Sequence, residues 1–146
     1  MLDLGLAVAH HILVFGLLAM TVIQRTLLGA PKPELLRLSR IDMGVGVTSG
    51  LVLAVGVARV VWGLKGWEFY QANPWFWAKL GGFFLIGAVS IQPTLRFIAW
   101  ARAAKADPAF LPPAPEIAGI RRTLGLQVLL FVPLLAFAGA MARWPF

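Results

Sequence analysis

The sequence predicts an all-α fold, an integral-membrane four-helix bundle with both termini on the periplasmic side. Three observations carry that expectation. Apolar residues fill 60 % of the 146 positions and charged residues only 13 %, against about 25 % charge in a typical soluble domain. Four apolar stretches each approach the roughly 20 residues that cross a hydrocarbon core about 30 Å thick. The basic residues gather beside alternate loops, as the positive-inside rule requires of a multi-pass chain. The same composition excludes disorder, which needs low hydrophobicity. With no cysteine, a disulfide framework, a thiolate zinc site, an iron–sulfur cluster and a cysteine nucleophile are all excluded.

The chain reads as one transmembrane domain over residues 1–146, with helices at about 4–26, 43–64, 75–104 and 116–142. The first apolar stretch runs from Leu4 to Thr26 and stops at Gly29-Ala30-Pro31-Lys32-Pro33. The second runs from Met43 to Leu64, after the charged segment that holds Arg37, Arg40 and Asp42. The third follows the break Ala72-Asn73-Pro74, is apolar from Trp75 to Leu95, and continues as a more polar helix to Ala104. Asp107-Pro108 through Pro112-Pro113-Ala114-Pro115 forms a stiff connector to the fourth, whose apolar part runs from Leu124 to Ala142. Helices are the only choice here, since lipid offers no partner to backbone polar groups. The spacing leaves no room for a soluble domain.

Charge gives the orientation. Arg25, Lys32, Arg37 and Arg40 flank the first loop, and Arg96, Arg102, Lys105, Arg121 and Arg122 flank the third. Loops one and three are therefore expected in the cytoplasm of a bacterial inner-membrane protein. That asymmetry accounts for a net charge of +7 without nucleic acid as a partner. Met1-Leu2-Asp3 has neither the basic region nor the small-residue cleavage site of a signal peptide, so the first helix reads as retained.

Ionisable residues within a span are costly and mark functional sites by default. Four occur: His10, His11, Arg59 and Lys79. In the expected topology they come from three helices to one depth, the outer third of the bundle. At roughly 100° per residue, His10 shares a polar stripe with Asp3, Thr21 and Gln24, whereas His11 points about 100° away. His10 is thus the better inward-facing ligand. Arg59 shares a face with Val55, Val52 and Thr48, opposite a small-residue stripe of Gly46, Gly50, Ala54 and Ala58 suited to close helix contact. Lys79 shares a face with Phe83, Ile86 and Ser90. A second, neutral layer of Gln24, Thr48, Ser49, Gln92 and Gln127 reads as interhelical glue. Trp62, Trp67, Trp75, Trp77 and Trp144 crowd the outer boundary, either as an aromatic belt or as a flat shelf for a macrocycle, a quinone or a partner subunit.

These features resemble an uncharacterised family of small four-helix bacterial membrane proteins over nearly the whole chain. The likeness rests on His10-His11, Leu38-Ser39-Arg40-Ile41-Asp42, the run from Lys65-Gly66 to Lys79-Leu80, and Pro93-Thr94-Leu95-Arg96-Phe97. More distantly, a first-helix histidine and the Lys79-Leu80 pair are similar to the HemJ-type protoporphyrinogen oxidases and the copper-resistance CopD-like proteins. The HemJ likeness implies haem b, with His10 or His11 as its axial ligand and Lys79 in the same pocket. With only two histidines, adjacent in sequence, one regular helix cannot supply bis-histidine ligation.

The chemistry is coherent with a haem, which needs one imidazole, an apolar slot and cations for its propionates. His10 would be the metal ligand, with Arg59 and Lys79 as the cations. The leading expectation is a haem b or porphyrin protein with a redox role. The alternative is a cofactor-free accessory subunit of a larger respiratory or photosynthetic membrane complex. Beyond the lipid bilayer, the partner expected is a second copy or such a complex. No nucleophile–base pair, phosphate loop or carboxylate pair points to hydrolase or kinase chemistry.

Overall fold

A computed structural model describes residues 2–143, with no strand among them. Four long helices and one short one make up the chain: α1 (Leu2–Leu27), α2 (Leu35–Trp62), α3 (Gly66–Ala72), α4 (Pro74–Ala106) and α5 (Ala114–Ala142). The four long helices are each long and apolar enough to cross a membrane. They form a ring in which α1 packs mainly on α2 and α4 on α5, closed by α2–α4 and α1–α5 contacts. Successive long helices run antiparallel. Residues 2 and 143 therefore lie at one end, with α3. The α1–α2 and α4–α5 loops lie at the other. We call these the terminal end and the loop end.

The helix limits follow from local chemistry. Buried Asn73 caps α4, its Oδ1 accepting a hydrogen bond from Trp75 N at 3.0 Å, and Pro74 begins the helix where no N–H is needed. Gly66 adopts φ +70°, a left-handed turn that lets the chain reverse from α2 into α3. α2 starts at Leu35, eight residues before the apolar stretch does. Leu35 and Leu38 are buried there, so two turns of mixed polarity still have an apolar face to pack. The segment expected to lie along the interface near Trp67 is a short helix, α3, that buries Phe69 and Tyr70.

Three apolar layers fill the bundle. At the loop end Leu28, Leu35, Leu38, Phe97, Trp100, Ile120 and Leu124 form the largest, with Phe97 and Leu38 fully enclosed. Leu17, Val52, Phe131 and Leu134 form the middle layer, with Phe83 and Ile86 packed against it. Phe69, Tyr70 and Met141 form the layer at the terminal end. Most other large apolar side chains face outward, as Phe15, Met43, Leu95 and Val132 do. Lipid is their solvent.

Polar groups tie the ends together. Asn73 Nδ2 donates to the Met141 carbonyl at 3.1 Å, and Lys65 Nζ to the Ala142 carbonyl at 3.4 Å while lying 4.1 Å from the centre of the Phe69 ring. Trp75 stacks on Phe137. Toward the loop end, buried Gln24 donates through Nε2 to Asp42 Oδ1 at 3.1 Å, and Thr94 of α4 hydrogen-bonds the same carboxylate. Thr123 of α5 donates to Gln92 Oε1 of α4 at 3.0 Å. The neutral layer thus joins helices, with Asp42 at its centre. Sequence reasoning left Asp42 outside the second span because it stopped that span at the last charge. Helix α2 begins earlier, which puts Asp42 two turns inside it.

Candidate functional site at the terminal end

The α1 stripe faces inward as its periodicity dictates. His10, Leu17, Thr21 and Gln24 follow one another along the side of α1 that meets the bundle, and the last three are buried. His10 itself is half-buried against α2. A Cβ added at Gly56 would stand 3.5 Å from His10 Cε1 and 3.9 Å from Nδ1. The imidazole therefore packs at close range against the α2 backbone at Gly56, with room for no more than a methyl there, and the Val52 main chain is also within its reach. Nothing in the sequence pattern had singled out Gly56. Its signal was available, since it falls one turn beyond Val52 on the inward face.

His10 Nδ1 is buried without a hydrogen-bond partner, and so is Arg59 Nε. A buried polar group left unpaired costs about 1–3 kcal/mol, so two in one neighbourhood ask for an explanation. Lys79 of α4 belongs to the same neighbourhood. The charges of Lys79 and Arg59 both bear on His10, and that of Arg59 bears on Lys79. The three residues singled out in the sequence are therefore brought together from three helices. Among the described residues no carboxylate makes an ion pair with Arg59 or Lys79. The cations repel one another across a medium poor in water.

Tyr70 and Asp3 complete the site at the terminal end, and sequence reasoning missed the first of these. Asp3 Oδ1 lies against Gly63, at the C-terminal end of α2. Tyr70 comes from α3, whose inward placement no transmembrane periodicity could reveal. Burial holds its phenol above the usual tyrosine range; Arg59's charge opposes that and Asp3 adds to it.

His11 goes elsewhere. It is exposed, its Nδ1 lies 2.7 Å from the Ala7 carbonyl, and its ring meets that of His10 edge-on at 6.3 Å between centres. It lines a shallow outer groove with Ala7, Val8, Ile12 and Phe15. The aromatic crowd at this end divides likewise. Trp62, Trp67 and Trp77 are exposed, whereas Phe69 and Tyr70 pack inward. Trp144 lies outside the described residues. The small-residue stripe does not serve contact within the chain: a Cβ at Gly46 or Gly50 would meet nothing. The close approaches of α2 to α1 use Gly44, beside Met20, and Gly56 instead.

Comparison with known families agrees with this architecture. Residues 2–144 match the model of a family described as predicted membrane protein (DUF2214). The chain belongs to that family. Membership in DUF2214 covers the four spanning helices and α3 together, so the bundle is one unit, a multi-pass membrane protein. No curated protein and no solved structure matches the chain. The likeness to HemJ-type and CopD-like proteins is not among these matches. For a DUF2214 protein, then, function has to be argued from the site.

Proposed function

We propose that the chain binds haem b or a porphyrin at the terminal end of the bundle and that this ligand gives it a redox role. The observation that carries the reading is the unpartnered, buried Nδ1 of His10, set among cations from two other helices. That imidazole nitrogen makes no hydrogen bond within the chain, and it would be the ligand to the iron. Arg59 and Lys79 supply positive charge for two carboxylates, and no acid of the chain competes for them at ion-pair distance among the described residues. The donor set fits single-imidazole ligation and nothing richer: the described residues contain no group of three or more His, Asp or Glu that could hold a bare metal ion. When bound, haem supplies one-electron redox chemistry. The chain's own part is to orient the His10 ring on Gly56 and to hold two cations inside the bilayer boundary that would otherwise snorkel out.

The test is an absorption spectrum of protein purified in mild detergent, oxidised and then reduced, with haem quantified as its pyridine adduct. About one haem per chain or per dimer is expected, with loss of the spectrum in His10→Ala and its retention in His11→Ala. A colourless protein after growth with haem precursor, or a spectrum unmoved by His10→Ala, overturns the reading.

A second reading, an accessory subunit of a larger membrane complex, is favoured by two outward-facing features. Gly46, Gly50 and Ala54 are exposed along α2, and Trp62, Trp67 and Trp77 are exposed at the terminal end. Small residues let helices approach closely in lipid. Blue-native electrophoresis of gently solubilised membranes distinguishes the two, because an accessory subunit migrates with its complex.

A further inference from the structure

At the loop end, on the far side of the molecule from His10, a groove of about 880 Å³ runs between α1 and α5. That is within the about 300–1,000 Å³ range of small-ligand clefts. Arg25, Arg121 and Arg122 line its polar part, and Val22, Leu126 and Leu129 its apolar part. Two glycines make room for the arginines to cross between helices. Arg25 Nε lies 3.2 Å from where a Cβ on Gly125 would stand, and an Arg121 guanidinium nitrogen 3.3 Å from the same point on Gly29. Arg25 thus reaches over α5, and Arg121 over the turn that follows α1, so the charges converge on the seam.

The acids at this end are engaged elsewhere. Glu34 pairs with Arg37, and Glu116 with Arg96 and the Trp100 indole. Asp42 accepts from Gln24, and Asp107 from the Ala109 backbone N–H. Among the described residues, none forms an ion pair with Arg25, Arg121 or Arg122. A cationic groove at the boundary of a transmembrane segment, floored by apolar side chains that continue along the span, matches one chemistry. It takes a phosphate at the interface and a hydrocarbon chain below it.

We infer that this groove is a binding site for an anionic glycerophospholipid, with the phosphate on Arg25, Arg121 and Arg122 and an acyl chain along Val22, Leu126 and Leu129. Guanidinium forks suit phosphate oxygens better than ammonium groups do, and all three cations in the groove are arginines. The site is independent of the haem reading, since it shares no residue with it.

Native mass spectrometry of the chain released from nanodiscs of equal phosphatidylglycerol and phosphatidylethanolamine tests this. Phosphatidylglycerol adducts should exceed phosphatidylethanolamine adducts about tenfold. The Arg121→Gln/Arg122→Gln variant should lose that preference, and so, in part, should Arg25→Gln, which keeps the test open if the double variant folds poorly. Arg102→Gln/Lys105→Gln removes equal charge from exposed positions outside the groove and should retain it. Equal adducts in the unaltered chain, or equal loss in the control variant, overturns the assignment. So does displacement of the lipid by excess inorganic phosphate, which would make the groove a free-anion site.

Discussion

His10 and His11 are neighbours in sequence, yet one rotates into the bundle against Gly56 and the other out beside Ala7. A change at His10 therefore alters the interior and a change at His11 only the rim. Asn73 makes the sharper stability case. It caps α4 and also donates to the Met141 carbonyl, so Asn73→Ala loses a cap and a buried hydrogen bond between α4 and α5. We expect a loss of about 2 kcal/mol in detergent unfolding, read as a lower midpoint. Tyr70 is the one tyrosine of the chain, which makes its titration directly readable by ultraviolet absorbance. Its folded phenol is held above the unfolded value by burial, so folding favours the protonated form. That contribution is intact below about pH 10 and is lost as pH rises through the folded value. Tyr70→Phe should flatten that alkaline loss of stability relative to the unaltered chain; equal slopes would show that the ring is wet.

At the scale of the helix, the α1–α2 pair sets the site. Gly56→Ala places a methyl at ordinary contact distance from His10 and should leave the fold and any haem spectrum intact. Gly56→Ile has no such room. It should push α1 away, lower the unfolding midpoint and abolish the spectrum together, and a wild-type spectrum in this variant would mean that the ring is not seated on α2. The sequence shows how this division arises. The 3.6-residue period was enough to place His10 inward and His11 outward, because both lie on a long apolar helix whose stripe is easy to read, whereas for Arg59 and Lys79 only a common depth was legible. It was not enough for Tyr70, carried by a seven-residue helix too short for a period, nor for Asp42, which the charges around it left at the entry to the second span. Pairing of faces was also beyond it: Gly46, Gly50 and Ala54 of the regular stripe face out, while isolated Gly44 and Gly56 make the contacts. Periodicity says which residues share a side of a helix, not which neighbour that side meets.

For the whole molecule, the four spans were legible because the bilayer imposes their length and helical form, whereas the ring order of the helices comes only from packing. Charge asymmetry adds an orientation that is directly testable. The chain has no cysteine, so single cysteines can be introduced without background. In intact cells a membrane-impermeant maleimide should label Gln71→Cys and spare Ala30→Cys and Ala109→Cys; the reverse pattern would invert the topology. The hydrogen bond from Asn73 to Met141 spans 68 residues, and this has a consequence for biosynthesis. When α4 enters the bilayer, the side chain that will hold it to α5 has as yet nothing to hold. The α3–α4 corner waits with a polar group exposed until the end of α5 leaves the ribosome and swings beside it. A released chain truncated before Met141 would keep all four apolar spans and still present an unlatched corner to the membrane's quality-control proteases.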